Sequence, residues 1–287
     1  MIDALRTIIF VHGVQWEPDR DLSGYSIPLQ RAIERQAPST QFRFREVLWS
    51  DVVEQKEHEI YNAGSLIDLL GGGLPSLGDV VQKLLEHIFK RQGIQYNNDK
   101  DTTLNNRVAD LVKGSGQDFK EKAFSAIMDV ILYESGIGSY QQEIRNKLNE
   151  ALNEVGDQLA PIIYAHSLGS VISFDVLAAR AETTKVPALG LITAGSPLGI
   201  LRRDLTKFSK FAGALKGPIF WKNYYDADDF LAFWNPLKVF GYRDVVQDFA
   251  IDVSTIPFYS HTRYWSSDEI AKDLADLAAT DQTPDEQ

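Results

Sequence analysis

The stretch Pro161-Ile-Ile-Tyr-Ala-His-Ser-Leu-Gly-Ser170 decides how this chain is read. Ile162, Ile163 and Tyr164 form a short apolar run, as in a strand buried on both faces. The run stops at Ala165-His166-Ser167-Leu168-Gly169, and an apolar segment of helical spacing, Val171 to Ala181, follows at once. Strand, sharp turn and helix in this order put Ser167 at the tip of the turn. Its hydroxyl then stands clear of the chain, with the positive end of the following helix directed at it. So tight a turn needs small residues two before and two after the serine, where Cα atoms nearly touch. Ala165 and Gly169 occupy those places.

A second buried strand, Thr7-Ile-Ile-Phe-Val-His-Gly-Val14, runs into the pair His12-Gly13. The serine turn and the His-Gly pair together resemble the α/β-hydrolase superfamily, and within it the lipase/esterase-like branch. The usual first glycine of the serine turn is Ala165 here, as in some small bacterial lipases that read AHSMG. The resemblance covers 5–55 and 139–280. It implies an α/β-hydrolase fold with a mostly parallel central sheet flanked by helices, and Ser167 at a nucleophile elbow. It also implies an oxyanion-hole N–H from the loop after the first strand, where Gly13 would let the backbone turn.

Composition sets outer bounds. At 287 residues the chain has room for one large α/β domain with an insertion, or two domains at most. A formal net charge of −11 argues against a nucleic-acid partner, which calls for a basic patch, and against steady attraction to an anionic membrane. The absence of cysteine excludes disulfides, thiolate metal sites and a cysteine nucleophile. The chain enters a core strand within a few residues and has no apolar run long enough to span a bilayer, so the expectation is no signal peptide, no transmembrane segment and a cytoplasmic location.

Along the chain, Ile27 to Gln36 has helical spacing and stops near Pro38, and Gln41 to Trp49 alternates apolar with polar, as a strand with one wet face does. From 52 to 137 the pattern is helical and strand-free, with apolar stripes through Leu77 to Phe89 and Phe119 to Ile131, broken by Gly71-Gly72-Gly73. These residues read as a helical cap or lid inserted into a core made of 1–51 and 138–280. The insertion leaves the sheet at the C-terminal end of the Gln41–Trp49 strand, where it would roof Ser167. Tyr140 to Leu159 is an amphipathic helix, Leu189 to Leu198 reads as a strand plus turn, and further strands are expected at Ile219 to Tyr225 and Val246 to Val253. Ser266-Ser-Asp-Glu269 opens a closing helix with capping-box spacing, and 281–287 reads as a disordered tail. Strands alternating with helices imply an α/β fold.

A serine needs a base to take its proton, and the base needs an acid to fix its tautomer. The resemblance implies the chain order serine, acid, histidine. Of five histidines, His12 belongs to the first strand's turn, His58 and His87 lie in the insertion, and His166 adjoins the serine so that its side chain should point elsewhere. His261, after the last expected strand, is the candidate base. Three carboxylates follow the strand at Phe220 to Tyr225, namely Asp226, Asp228 and Asp229. Relatives often read D-P-x-D-P-V-A there, with the second aspartate as the acid. Asp229 matches that position, although Phe230 and Leu231 replace the Pro-Val. The oxyanion donors implied are the backbone N–H groups of Leu168 and Val14, and His12, Gly13 and Ser196 are candidate pocket residues, Ser196 within a tight Gly195-Ser196-Pro197 turn.

No metal-ligand spacing, phosphate-cradling glycine loop or dinucleotide fingerprint occurs, so no metal and no cofactor are expected. The expected function is a serine hydrolase cleaving a carboxylic ester through an acyl-enzyme. The aromatic run Phe230, Phe233 and Trp234 and the apolar insertion extend the candidate substrates to lipid-like esters. The fold implied also hosts thioesterases and amidases with the same triad, and non-catalytic proteins that bind a ligand or partner. Oligomeric state is not readable from the sequence.

Overall fold

The computed structural model describes residues 5–13, 24–49, 51–52, 129–130, 133–134, 139–155, 160–183, 188–201, 220–229, 236–240, 245–255 and 257–279. In chain order its elements are β1 (Thr7–Val11), α1 (Ile27–Gln36), β2 (Arg43–Val47), α2 (Tyr140–Val155), β3 (Ile162–His166), α3 (Leu168–Thr183) and β4 (Gly190–Ala194). They continue with α4 (Leu198–Leu201), β5 (Phe220–Tyr225), a 3-10 turn at Leu237–Phe240, β6 (Gln247–Ala250), α5 (Pro257–Thr262), a 3-10 turn at Tyr264–Ser266 and α6 (Asp268–Ala278).

The strands form one all-parallel sheet in the order β2-β1-β3-β4-β5-β6. A parallel sheet must be covered on both faces, and the inner strands β1, β3 and β4 are buried at every position. The edge strand β2 alternates exposed with more buried residues and carries Arg43 and Arg45, charges that discourage pairing with another chain.

One face of the sheet presents Ile8, Phe10, Ile162, Tyr164 and Ile192 to α1 and α6. Phe10 stacks on Tyr164 with ring centroids 5.4 Å apart. The opposite face presents Ile9, Val11, Ile163, Ala165 and Leu191, and α3 lies against β1 and β3. From Leu168 to Ala178, α3 is buried throughout, as its near-continuous apolar composition requires. Phe174 meets Trp221 of β5 at 5.7 Å between centroids, and truncating such a buried ring to alanine costs about 3–5 kcal/mol. Polar contacts join α2 to α3: Arg145 pairs with Asp175 at 2.7 Å, and Arg180 donates to Asn149 at 3.0 Å and Asn153 at 2.9 Å.

The strand order has one reversal. From β1 the chain steps to one side to make β2, then returns across β1 to make β3 and proceeds the other way. Right-handed crossovers put α1 and α3 on opposite faces under that reversal. In open α/β sheets the carboxyl ends of the two strands at the reversal flank a crevice, and here those ends carry His12-Gly13 and Ser167.

Two details depart from the sequence reading. The helix after the serine starts at Leu168, three residues earlier than its apolar run suggests. The cap of α6 is Ser267, whose Oγ accepts the Ile270 N–H, while Ser266 sits in the preceding 3-10 turn with its hydroxyl on the Arg263 carbonyl. The N3 residue is therefore Ile270, and the capping box expected from Ser266 and Glu269 does not form.

The chain divides into two compact units, one of 1–13, 17–48 and 145–287 and another of 14–16 and 49–144. Within the second, Trp49, Val52, Val130, Tyr133, Tyr140 and Ile144 are buried, and Gln141 donates to the Tyr133 carbonyl at 3.0 Å. The helical stripes and the glycine triplet expected over 52–137 lie outside the described residues but for a few positions, as do His58, His87, Phe230 to Asn235 and the tail at 281–287.

Candidate active site

Ser167 sits at φ 53, the only non-glycine residue with positive φ among those described. An L-residue in this left-handed region carries roughly 1–3 kcal/mol of strain, which surrounding contacts must offset. The Ser167 N–H donates to the Ala194 carbonyl at 2.9 Å, and the Ser170 N–H and hydroxyl both donate to the Ser167 carbonyl, at 2.9 and 2.6 Å. Ser170 is linked in turn to the Ser196 hydroxyl at 2.7 Å, which accepts from the Leu198 N–H at 3.2 Å. Ser196 therefore serves as a brace for the turn through Ser170.

Two glycines owe their identity to space. A Cβ on Gly169 would fall 2.4 Å from the Val11 carbonyl oxygen and 2.6 Å from that of His12, so the limit comes from β1 running alongside rather than from Ala165 across the turn. A Cβ on Gly13 would fall 2.6 Å from Cβ of Ser167. Gly13 is not among the residues with positive φ, so it is needed for this close approach and not for the unusual backbone turn expected from the sequence.

His261, near the end of α5, points Nε2 at Ser167 Oγ, 3.0 Å away, and Nδ1 at the carboxylate of Asp229, 3.0 Å from each oxygen. All three side chains are buried. An ionised carboxylate only accepts, so the proton belongs on Nδ1, and Nε2 is left to accept from the serine hydroxyl. That arrangement has a donor, a relay and an anion in line, able to carry a proton off Ser167.

The other two aspartates at this strand end face elsewhere. Asp226 is buried, and its carboxylate accepts the N–H groups of Asp228 at 2.8 Å, Val253 at 2.7 Å and Ser254 at 3.3 Å, which fastens the loop after β5 to the segment after β6. Asp228 is exposed.

His166, expected to point away, instead turns into this region. Its Nε2 donates to the backbone carbonyl of His261 at 2.6 Å, and its ring lies 4.8 Å from those of both His261 and Trp265. Nδ1 is buried with no hydrogen-bond partner. Burial first, then the repulsion that a proton on His261 or His12 would add, hold its pKa well below the ordinary histidine value, against the pull of the carbonyl bond, so His166 stays neutral.

Tyr264 and Gly195 carry no motif that marks them in the sequence, yet both touch the acid. The Tyr264 hydroxyl donates to Asp229 Oδ2 at 2.7 Å and accepts the Asp226 N–H at 2.8 Å. Burial and the Asp229 charge push its pKa well above the ordinary tyrosine value, so the hydroxyl remains a donor. Gly195, at φ +57, has no room for a side chain. A Cβ there would lie 2.8 Å from the Tyr264 ring, 2.9 Å from Asp229 Oδ2 and 3.1 Å from His261 Nδ1.

His12 is buried and stacks on Tyr25 at 5.4 Å, with Nδ1 donating to the Gly13 carbonyl at 2.5 Å. Leu168 is the first residue of α3, and the helix's own ladder has no acceptor for its N–H. Val14 lies outside the described residues. Among the described residues no group of three or more histidine, aspartate or glutamate side chains is arranged to hold a metal ion, and no helix is long and apolar enough to cross a membrane.

The chain matches no known family model, no curated protein and no solved structure.

Proposed function

We propose that this protein is a serine hydrolase of the α/β-hydrolase kind, acting on a carboxylic ester, with lipid-like esters among the candidate substrates. The observation that carries the reading is the buried line Ser167 Oγ, His261 Nε2 and Nδ1, Asp229, with 3.0 Å at each step, ending on a serine of strained backbone geometry. Structural hydrogen bonds rarely combine those two features, and a nucleophile at a strand-to-helix turn needs both. The order β2-β1-β3-β4-β5-β6, with the serine after β3 and the histidine after β6, fits the same superfamily.

In this reading His261 takes the Ser167 proton as Oγ attacks the ester carbonyl. The carbonyl oxygen, now anionic, is held by the Leu168 N–H and by a second N–H after β1, for which Val14 is the candidate. Asp229 steadies the imidazolium. His261 then protonates the departing alcohol, and a water molecule, deprotonated by the same histidine, releases the acid and restores Ser167. Chromogenic short-chain esters test this. Turnover should be measurable and should fall by several orders of magnitude in Ser167→Ala. A variant that keeps most of the activity would remove Ser167 from the chemistry.

A further inference from the structure

The geometry points to Ser170 as a positioning residue of the oxyanion hole, whose hydroxyl holds the peptide group between Ser167 and Leu168 so that the Leu168 N–H meets the developing charge. This rests on the hydrolase reading above. A peptide group is planar and trans, so its carbonyl and its N–H point in opposite directions and turn together. The carbonyl of Ser167 and the N–H of Leu168 are the two ends of one such group. Whatever grips the carbonyl therefore aims the N–H. Ser170 grips it twice, through its own N–H at 2.9 Å and its hydroxyl at 2.6 Å. Leu168 opens α3, where the helix ladder makes no claim on its N–H.

A serine in a helix commonly bonds back to a carbonyl three or four residues earlier, with no further consequence. Two features set this one apart. Ser167 is held at φ 53, and its relaxation toward ordinary backbone would turn the same peptide group and carry the Leu168 N–H off its aim. Ser170 is also fully buried and stands at the end of a line of donors. With its own proton on the Ser167 carbonyl, its Oγ meets the Ser196 hydroxyl as an acceptor at 2.7 Å, and Ser196 Oγ accepts the Leu198 N–H at 3.2 Å. The three bonds run in one direction, away from solvent, so each polarises the next. Their pull on the Ser167 carbonyl leaves the Leu168 N–H a stronger donor at the other end of the peptide.

The test compares an activated nitrophenyl ester with its thiono analogue, C=S in place of C=O, on the whole protein. Ser167 Oγ attacks the same carbon in both, its proton passes to His261 and nitrophenolate leaves, but charge builds on oxygen in one and on sulfur in the other. Sulfur is a weak hydrogen-bond acceptor, so the ratio of the two kcat/KM values reads the donors that face this atom. Ser170→Ala should lower kcat/KM about tenfold for the ester and only about twofold for the thionoester, so that the ratio falls about fivefold. A wild-type ratio, whether both substrates slow together or neither slows, would overturn the inference, because a loosened serine turn acts on both alike. Should Ser170→Ala fail to fold, Ser170→Cys puts a weak S–H donor in nearly the same space, and the ratio should fall about threefold. An unchanged ratio there would again overturn the inference. Ester turnover that is absent, or that persists in Ser167→Ala, is a separate outcome that defeats the hydrolase reading and this one with it.

Discussion

His166 ties the stability of the fold to pH in a way that can be isolated. It is 1% exposed, and burial keeps its folded-state pKa well below 6.5. In the unfolded chain it would titrate near 6.5. Above that pH both states hold it neutral and it contributes nothing to the pH dependence. As pH falls through 6.5 the unfolded chain takes up a proton that the folded protein refuses, so stability declines with falling pH. The limiting slope is about 1.4 kcal/mol per pH unit, and the loss between pH 7.5 and 5.5 works out to about 1.4 kcal/mol. His166→Gln keeps an N–H near Nε2 to meet the His261 carbonyl while removing the titration. Urea denaturation of both proteins at the two pH values gives the difference directly, and groups that titrate alike in both cancel. The wild type should lose about 1.4 kcal/mol more than the variant on acidification. Equal losses would mean that His166 is protonated in the folded protein and that its buried, neutral state is wrong.

Gly195→Ala must force a side chain into left-handed backbone and against Tyr264 and Asp229, which should cost about 2–4 kcal/mol in chemical denaturation and slow ester hydrolysis as well; an unaffected protein would contradict the packing at this turn. Asp226 and Asp229 should separate cleanly. Asp226→Ala strips an acceptor from the Val253, Ser254 and Asp228 amides and should cost about 1–3 kcal/mol of stability while keeping most activity. Asp229→Asn should lower kcat by about four orders of magnitude with little loss of stability, because an amide favours the wrong histidine tautomer. The reverse pattern would exchange the roles assigned to the two residues.

The α/β architecture was legible because its cause is local. The runs at Thr7–Val11, Ile162–His166 and Gly190–Ala194 are mostly apolar and buried at every position, as strands covered on both faces must be, and β2 shows its edge position in the charged residues Arg43, Arg45 and Glu46. Residues whose meaning depends on distant partners were not legible. Gly195 reads as an ordinary turn glycine until Tyr264 and Asp229 are seen beside it, and Tyr264 is one of eleven tyrosines in the chain. Three aspartates within four positions look alike in sequence, and what distinguishes them is whether backbone amides, solvent or an imidazole faces each one. His166 misled for a related reason. It is the last residue of β3 and keeps the strand's alternation, on the face of Ile162 and Tyr164, and only the fold shows that His261 and Trp265 are brought to that same face. The two adjacent serines before α6 differ only in which one adopts the extended cap conformation, and Ser267 does, at φ −70 and ψ 124.

If Ser167 is an activated nucleophile, it is the residue that a covalent probe of serine hydroxyls modifies. The protein is treated with a fluorophosphonate near neutral pH, digested, and the modified peptide sequenced by mass spectrometry. One adduct per chain is expected, on Ser167, strongly reduced in His261→Ala. Modification spread over other serines, or an adduct on Ser167 that forms equally well without His261, would contradict it.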